Sequence, residues 1–214
     1  MAVSQITFVP VRSETMAFLA DKLMHFFVGL AVGAGYWWLL ERYAKVGVKR
    51  INPIWYLVMP IWGASGLFLF RKLNIPVLSG DIFYMAVPDW DIPLYNSTRF
   101  RFLIHRSWLF HSALLPLVLL VTSWWGMQHS RSQFNNSHQW WRWLRDGAIG
   151  LSVGMSAHLI WDALLSSTKQ GFVIFGWSQS ASLVWLACNL ILGLGIPFLM
   201  VWAIADLSNG RTKL

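Results

Sequence analysis

The sequence has few charged residues. Asp, Glu, Lys and Arg make up 12% of its 214 residues, whereas soluble domains average about 25%. Hydrophobic residues make up 56% of the chain, and the mean hydropathy is +0.50. This composition excludes an ordinary soluble domain and favours an integral membrane protein.

Cysteine and acidic residues are also scarce. Cys188 is the only cysteine, so the chain cannot form an internal disulfide and its redox compartment is not indicated. Nine acidic against seventeen basic residues give a net charge of +8. The basic residues are scattered through the loops, which is typical of contact with lipid headgroups. We therefore expect the lipid bilayer as a partner and no nucleic acid.

Five apolar runs predict an all-α, polytopic membrane bundle that forms one integral membrane domain over residues 1–214. The predicted spans are residues 16–40, 54–70, 107–125, 144–165 and 181–205, with Ser107 as an N-cap. Gly29 and Gly33 have the small-xxx-small spacing that lets another helix approach closely. The expected location is a bacterial inner or plasma-type membrane, crossed several times.

A polar stretch, residues 81–112, interrupts these apolar runs. In its segment PDWD, Asp89 and Asp91 are close enough to repel each other unless a cation lies between them or one is protonated. An Asx turn would explain PDWD without a ligand. His105, Arg106 and His111 follow in the segment HRSWLFHS.

The fourth predicted span carries a second polar pair. His158 and Asp162 are four residues apart in HLIWD, so they share one face of a helix. An aspartate at the centre of a span costs about 2.5–3.5 kcal/mol on insertion scales, and such residues usually serve a function. A structural hydrogen bond between helices is the alternative.

If the five predicted spans cross the membrane in alternating directions, these polar residues lie on one membrane face. His25, near the start of the first span, lies on the same face. Histidine nitrogen and aspartate oxygen without cysteine suit a divalent metal, zinc first and manganese or iron(II) as alternatives. The candidate ligands are His25, Asp89, His105, His111, His158 and Asp162.

Two further residues have candidate roles in catalysis. Asp91, or alternatively Asp162, is a candidate general base if it is not a ligand, and Arg106 could clamp a phosphate or carboxylate. Asp21, four residues before His25, could orient its ring.

The segments HFFVG, PDWD, HRSWLFHS and HLIWD, in that order, resemble the YdjM-like inner-membrane metal-dependent hydrolases. The similarity spans residues 23–176. It implies a helical membrane protein with a His/Asp metal site and a distant relation to zinc-dependent phospholipases C and single-strand zinc nucleases. The implied ligands are His25, Asp89, His111, His158 and Asp162, with Asp91 and His105 as further candidates and Arg106 as an anion clamp.

The favoured interpretation is a membrane-bound metal-dependent hydrolase that acts on a phospholipid or another phosphoester at the membrane surface. The alternative is a non-enzymatic membrane protein in which the cluster is a structural metal site or a helix-locking polar network. A cation transporter ranks third, because the other halves of the spans carry almost no ionisable residues.

Overall fold

The structure, a computed structural model, describes residues 11–43, 54–67, 84–97, 107–129, 136–165, 173–174 and 176–208. Within these ranges the chain is helical and contains no strand, which confirms the all-α prediction. A 3-10 turn, Val87–Trp90, immediately precedes α3. The α-helices are α1 (Val11–Tyr43), α2 (Ile54–Ser65), α3 (Asp91–Ser97), α4 (Leu114–His129), α5 (Asn136–Leu165) and α6 (Gln179–Ser208).

Two of these helices contain runs long and apolar enough to cross a membrane. The runs are Leu19–Tyr43 in α1 and Gln179–Trp202 in α6. The α2 helix has 12 residues and α4 has 16, which is short against the roughly 20 residues that a membrane-spanning helix needs. The predicted five-span arrangement therefore stays a prediction.

The short α2 helix packs against both α1 and α5. A Cβ atom added to Gly29 would lie 2.8 Å from the Cβ of Ala64, and one added to Gly33 would collide with the carbonyl oxygen of Tyr56. The predicted close approach at Gly29 and Gly33 is confirmed. On the other side of α2, a Cβ at Gly63 would lie 3.1 Å from the Cα of Gly154, so glycines set both helix contacts.

The main apolar core and the polar residues occupy different ends of these helices. Tyr36 and Leu40 of α1 are in the core, eleven and fifteen residues after His25, or roughly 16–22 Å along the helix axis. In α5 the core residues Ile149 and Val153 likewise precede His158. The remaining buried members of this core are Tyr56, Leu120, Ala148 and Val201.

The helix predicted over residues 107–125 begins later than expected. Ser107 is not the N-cap of this helix, because α4 begins only at Leu114. Its Oγ accepts a hydrogen bond from the backbone N–H of Phe110 (3.4 Å), the bond that an N-cap makes, but within a turn. Pro116 suits the first turn of α4, where its missing N–H leaves no bond unmade. Residues 126–143, for which the sequence predicts an interfacial loop or a short amphipathic segment, are partly helical, because α4 continues to His129 and α5 begins at Asn136.

Candidate metal centre

The C-terminal end of α2 positions the first histidine of the site. The helix ends at Ser65, and Gly66 follows with a positive φ of 69°, a conformation that glycine adopts without strain. Carbonyl groups in the last turn of a helix lack intrahelical partners. The carbonyl oxygen of Ala64 therefore accepts a hydrogen bond from Nδ1–H of His158 at 2.7 Å, and this bond leaves Nε2 as the ligand atom.

His25 is oriented in the same way from α1. Its Nδ1–H donates to the carbonyl oxygen of Asp21 at 2.9 Å, so its Nε2 also keeps a lone pair. Nε2 of His25 lies 3.3 Å from Oδ1 of Asp162, and Nε2 of His158 lies 3.3 Å from Oδ2 of the same carboxylate. The two imidazole rings are 4.4 Å apart.

These three side chains fit a metal ion. Two ligand atoms at 2.0–2.1 Å from a tetrahedral ion lie about 3.3 Å from each other, and each histidine nitrogen lies at that distance from a different oxygen of Asp162. A nitrogen lone pair and a carboxylate oxygen that face each other repel. A cation between them, either a proton or a metal ion, removes this repulsion by binding both. The buried group His25, His158 and Asp162 could therefore hold a metal ion.

A second group, Asp89, His111 and His158, adjoins the first, with its ligand atoms within 4.8 Å of one another. Burial would raise the pKa of Asp89, but in the metal-free protein the positive charges of Lys22 and of His158, with a proton on its Nε2, outweigh this and lower it to about 2. Burial, together with His158, lowers the pKa of His111 to about 4. At neutral pH these two residues are thus a carboxylate and a neutral imidazole, the forms that bind metals.

His158 belongs to both groups but has only one ligand atom to give. Its Nδ1 is engaged with Ala64, and the single lone pair on Nε2 can bind one ion. The arrangement therefore favours one ion at His158, with the other members of the two groups available around it.

Asp91 lies behind His111, outside both groups. It is completely buried, and its Oδ2 accepts a hydrogen bond from the backbone N–H of Ser107 at 3.2 Å. The same oxygen lies 3.7 Å from Nδ1 of His111. A carboxylate in this position is suited to support a ligating histidine through its charge, and the general-base role of Asp91 stays a prediction.

Lys22 is a site residue that the sequence analysis missed. Its Nζ lies 2.9 Å from Oδ2 of Asp89, and the two side chains are 15% and 12% exposed. The available signal was its position three residues before His25, on the same helix face. A lysine at the end of an apolar run is more commonly a headgroup contact.

On one side of the site the described residues leave a small cavity. Asp162 keeps a side-chain exposure of 19% and, with His111, borders this cavity. The other residues that line this cavity are Leu159, Ile174, Ser182, Trp185 and Leu186. An approach to the ligands is what distinguishes a catalytic metal site from a closed structural one.

The structure thus brings together five of the predicted ligands, on two helices and two turns. They are His25, Asp89, His111, His158 and Asp162. The sixth predicted ligand, His105, lies outside the described residues, as does the catalytic candidate Arg106.

Comparisons with known proteins add no assignment. Neither a family model, nor a curated protein, nor a solved structure matches the chain.

Proposed function

We propose that this protein is a membrane-bound, metal-dependent hydrolase that acts on a phosphoester or lipid-like substrate at the membrane surface. The observation that carries the proposal is the His/Asp cluster beside the cavity at His111 and Asp162. The resemblance to the YdjM-like hydrolases points to the same chemistry. The donor set suits zinc, with manganese or iron(II) as alternatives.

Each residue of the cluster has a role in this proposal. His25, His158 and Asp162 hold the ion, and Asp89 and His111 complete its surroundings. Asp91 keeps the ring of His111 in place. A metal ion held by these residues would supply an activated water molecule and polarisation of a phosphoryl oxygen. If only one of its oxygens binds the ion, Asp162, which borders the cavity, would have the other available to accept a proton there.

The outer surface supports a membrane location and several spans. Large apolar side chains on all six described helices are exposed, among them Phe27 at 55%, Val121 at 64% and Ile191 at 70% exposure. Exposed apolar surface of this extent is expected against lipid tails rather than water. Because the cluster lies at one end of the helices, it would face headgroups, and an amphiphilic phosphoester is the natural substrate.

A non-enzymatic role is the second candidate. Asp162 faces both His25 and His158 at 3.3 Å, and such a bridge could lock α1 to α5 without any reaction. The two roles differ in whether the bound metal can react, because a closed structural site leaves no position for water or substrate.

The deciding experiment combines metal content with activity. Protein purified in detergent would be analysed by elemental mass spectrometry and assayed with bis-p-nitrophenyl phosphate and with phospholipid vesicles. The wild type should carry about one ion per chain and cleave a phosphoester. The His111→Ala/His158→Ala variant should lose both properties.

His129→Ala is the matched control, because His129 lies at the opposite end of α4 from His111 and bonds the backbone of its own helix (Nδ1 to the carbonyl oxygen of Trp125, 2.9 Å). It should keep both the metal and the activity. Metal without hydrolysis of any phosphoester would favour the structural role. Absence of metal after incubation with excess zinc or manganese would contradict the hydrolase.

A further inference from the structure

Lys22 and His25 reach the candidate metal centre from the same face of α1. They are three residues apart, and residues at this spacing are neighbours on a helix surface. His25 faces Asp162, whereas the ammonium group of Lys22 contacts Asp89 at 2.9 Å. The helix therefore presents a metal ligand and a cation side by side.

The contact with Lys22 involves an atom that a metal would also use. Asp89 belongs to the group that could hold an ion with His111 and His158, and its Oδ2 is bound to the ammonium of Lys22. The carboxylate is buried. A buried carboxylate needs a positive partner, and in the absence of an ion Lys22 is that partner.

A divalent ion at the same ligands would change this balance. The ion would place two positive charges close to the ammonium group of Lys22. Like charges that are close together repel each other strongly where little water screens them. Asp89 would then have a second and stronger cation to bind. The lysine stem has four carbons and a rotatable ammonium group, so this side chain can move while the helix stays in place.

We propose that Lys22 exchanges its anionic partner when the metal binds. In the metal-free protein its ammonium group neutralises Asp89; in the metal-loaded protein Asp89 binds the ion, and the ammonium group holds an anionic oxygen of the substrate. Lysine is a common point-charge partner of phosphate. The second half of this exchange rests on the proposed function, whereas competition between Lys22 and the ion for Asp89 does not.

The experiment titrates the purified full-length protein with Co²⁺, whose visible absorption reports coordination. Lys22→Met removes the charge and keeps an unbranched side chain, so Co²⁺ should bind about tenfold more tightly, within the usual range for coupled sites. Lys22→Arg keeps the charge and should bind Co²⁺ as the wild type does. Arg42→Met is the matched control, because it removes a charge from the last turn of α1.

Inorganic phosphate is then added to the Co²⁺-loaded proteins, and its binding is followed by the same absorption bands. The Lys22→Met variant should bind phosphate about tenfold more weakly than the wild type, the mirror image of its gain for the metal. A purely structural lysine would alter stability but would not shift the two affinities in opposite directions.

Lys22→Met leaves Asp89 without its partner and can therefore fail to fold, so the wild type provides a second measurement. After reductive ¹³C-methylation, the NMR signal of Lys22, assigned by its loss in Lys22→Arg, should shift when metal is added. An unshifted signal would overturn the inference. So would unchanged or weaker Co²⁺ binding by folded Lys22→Met, or unchanged phosphate binding. If these results hold and the wild type cleaves no phosphoester, the hydrolase fails but the exchange stands.

Discussion

At the scale of single residues, the site depends on how its histidines are held. His25 and His158 each donate Nδ1–H to a backbone carbonyl oxygen, and this leaves Nε2 of both rings for a ligand. The helical spacing of His158 and Asp162 was readable in the sequence. The roles of the Asp21 and Ala64 carbonyl groups were not readable in the sequence, because every residue has a backbone carbonyl group.

Asp91 supports His111 from behind, and this role can be tested. In Asp91→Asn the amide can still accept the hydrogen bond from Ser107, but it no longer offers a charge to the ring of His111. Loss of such a supporting carboxylate usually weakens metal binding by about 10–100-fold. We expect a loss of this size in a Co²⁺ titration.

Asp146→Asn is the control for this substitution. Asp146 is also buried, but its partner is the adjacent Arg145, at 2.7 Å, and the two lie on α5 well before His158. The variant should lose stability and keep its affinity for Co²⁺. Equal metal affinity in Asp91→Asn and the wild type would show that Asp91 has no part in the site.

At the scale of the helices, α2 determines whether the ligands meet. It is too short for a typical membrane span, yet it packs against both α1 and α5 and supplies the carbonyl group that orients His158. The spacing of Gly29 and Gly33 in the sequence predicted a close helix contact, and in the structure this is the contact between α1 and α2. Gly154 lies in an apolar stretch with several small residues, so its pairing with Gly63 required the tertiary structure.

The two glycines of α1 that come after Gly29 should respond in opposite directions to alanine. Gly33→Ala would force its new methyl group into the backbone of α2, and overpacking of this kind usually costs about 1–3 kcal/mol. Gly35 has open space around its Cα, so Gly35→Ala should be neutral or stabilising by up to about 1 kcal/mol. Thermal unfolding in detergent measures both.

Metal binding distinguishes a local packing defect from damage to the site. Because α2 also positions His158, Gly33→Ala should weaken Co²⁺ binding as well, whereas Gly35→Ala should leave it unchanged. Equal stability of the two variants would contradict the close contact between α1 and α2.

At the scale of the whole molecule, a bound ion would tie together elements distant in the chain. Ligands from α1, α5 and the turn before α4 would share it. A ligand that binds only the folded state at 100 times its dissociation constant adds about 2.7 kcal/mol of stability. Removal of metal with a chelator should therefore lower the Tm of the wild type.

His158→Ala tests whether this effect comes from the cluster. The Tm of the variant should be the same with and without chelator. Added zinc or manganese should restore the Tm of the chelator-treated wild type but leave that of the variant unchanged. A chelator effect of the same size in both proteins would place the stabilising ion elsewhere.

The location of α6 in a membrane can be tested with the native cysteine. Cys188 is exposed on the surface of the described structure and lies near the middle of the apolar run Gln179–Trp202. If this run crosses a bilayer, a charged, membrane-impermeant maleimide should not label Cys188 in sealed or inverted vesicles. Full labelling should occur after denaturation in SDS.

A second cysteine position calibrates the labelling. Ser178, just before α6, is also exposed, and a Ser178→Cys/Cys188→Ala variant should be labelled in one of the two vesicle orientations without denaturation. Rapid labelling of Cys188 in intact vesicles would show that α6 does not cross the membrane.

The sequence by itself determined the helical class and the chemistry available to the site. Apolar runs with so few charges favour helices, because a helix satisfies its own backbone hydrogen bonds. Histidine and aspartate at helical or turn spacing limited the ligands to a few positions. His25, Asp89, His111, His158 and Asp162 were all among them.

Only the tertiary structure decided which of those residues share a site and what surrounds them. Asp91 lies behind a ligand, Lys22 is paired with Asp89, and the α2 carbonyl group orients His158. The physical reason is that each of these contacts joins residues at least sixteen positions apart. Such contacts depend on where helices begin and how closely they pack, which local spacing does not specify.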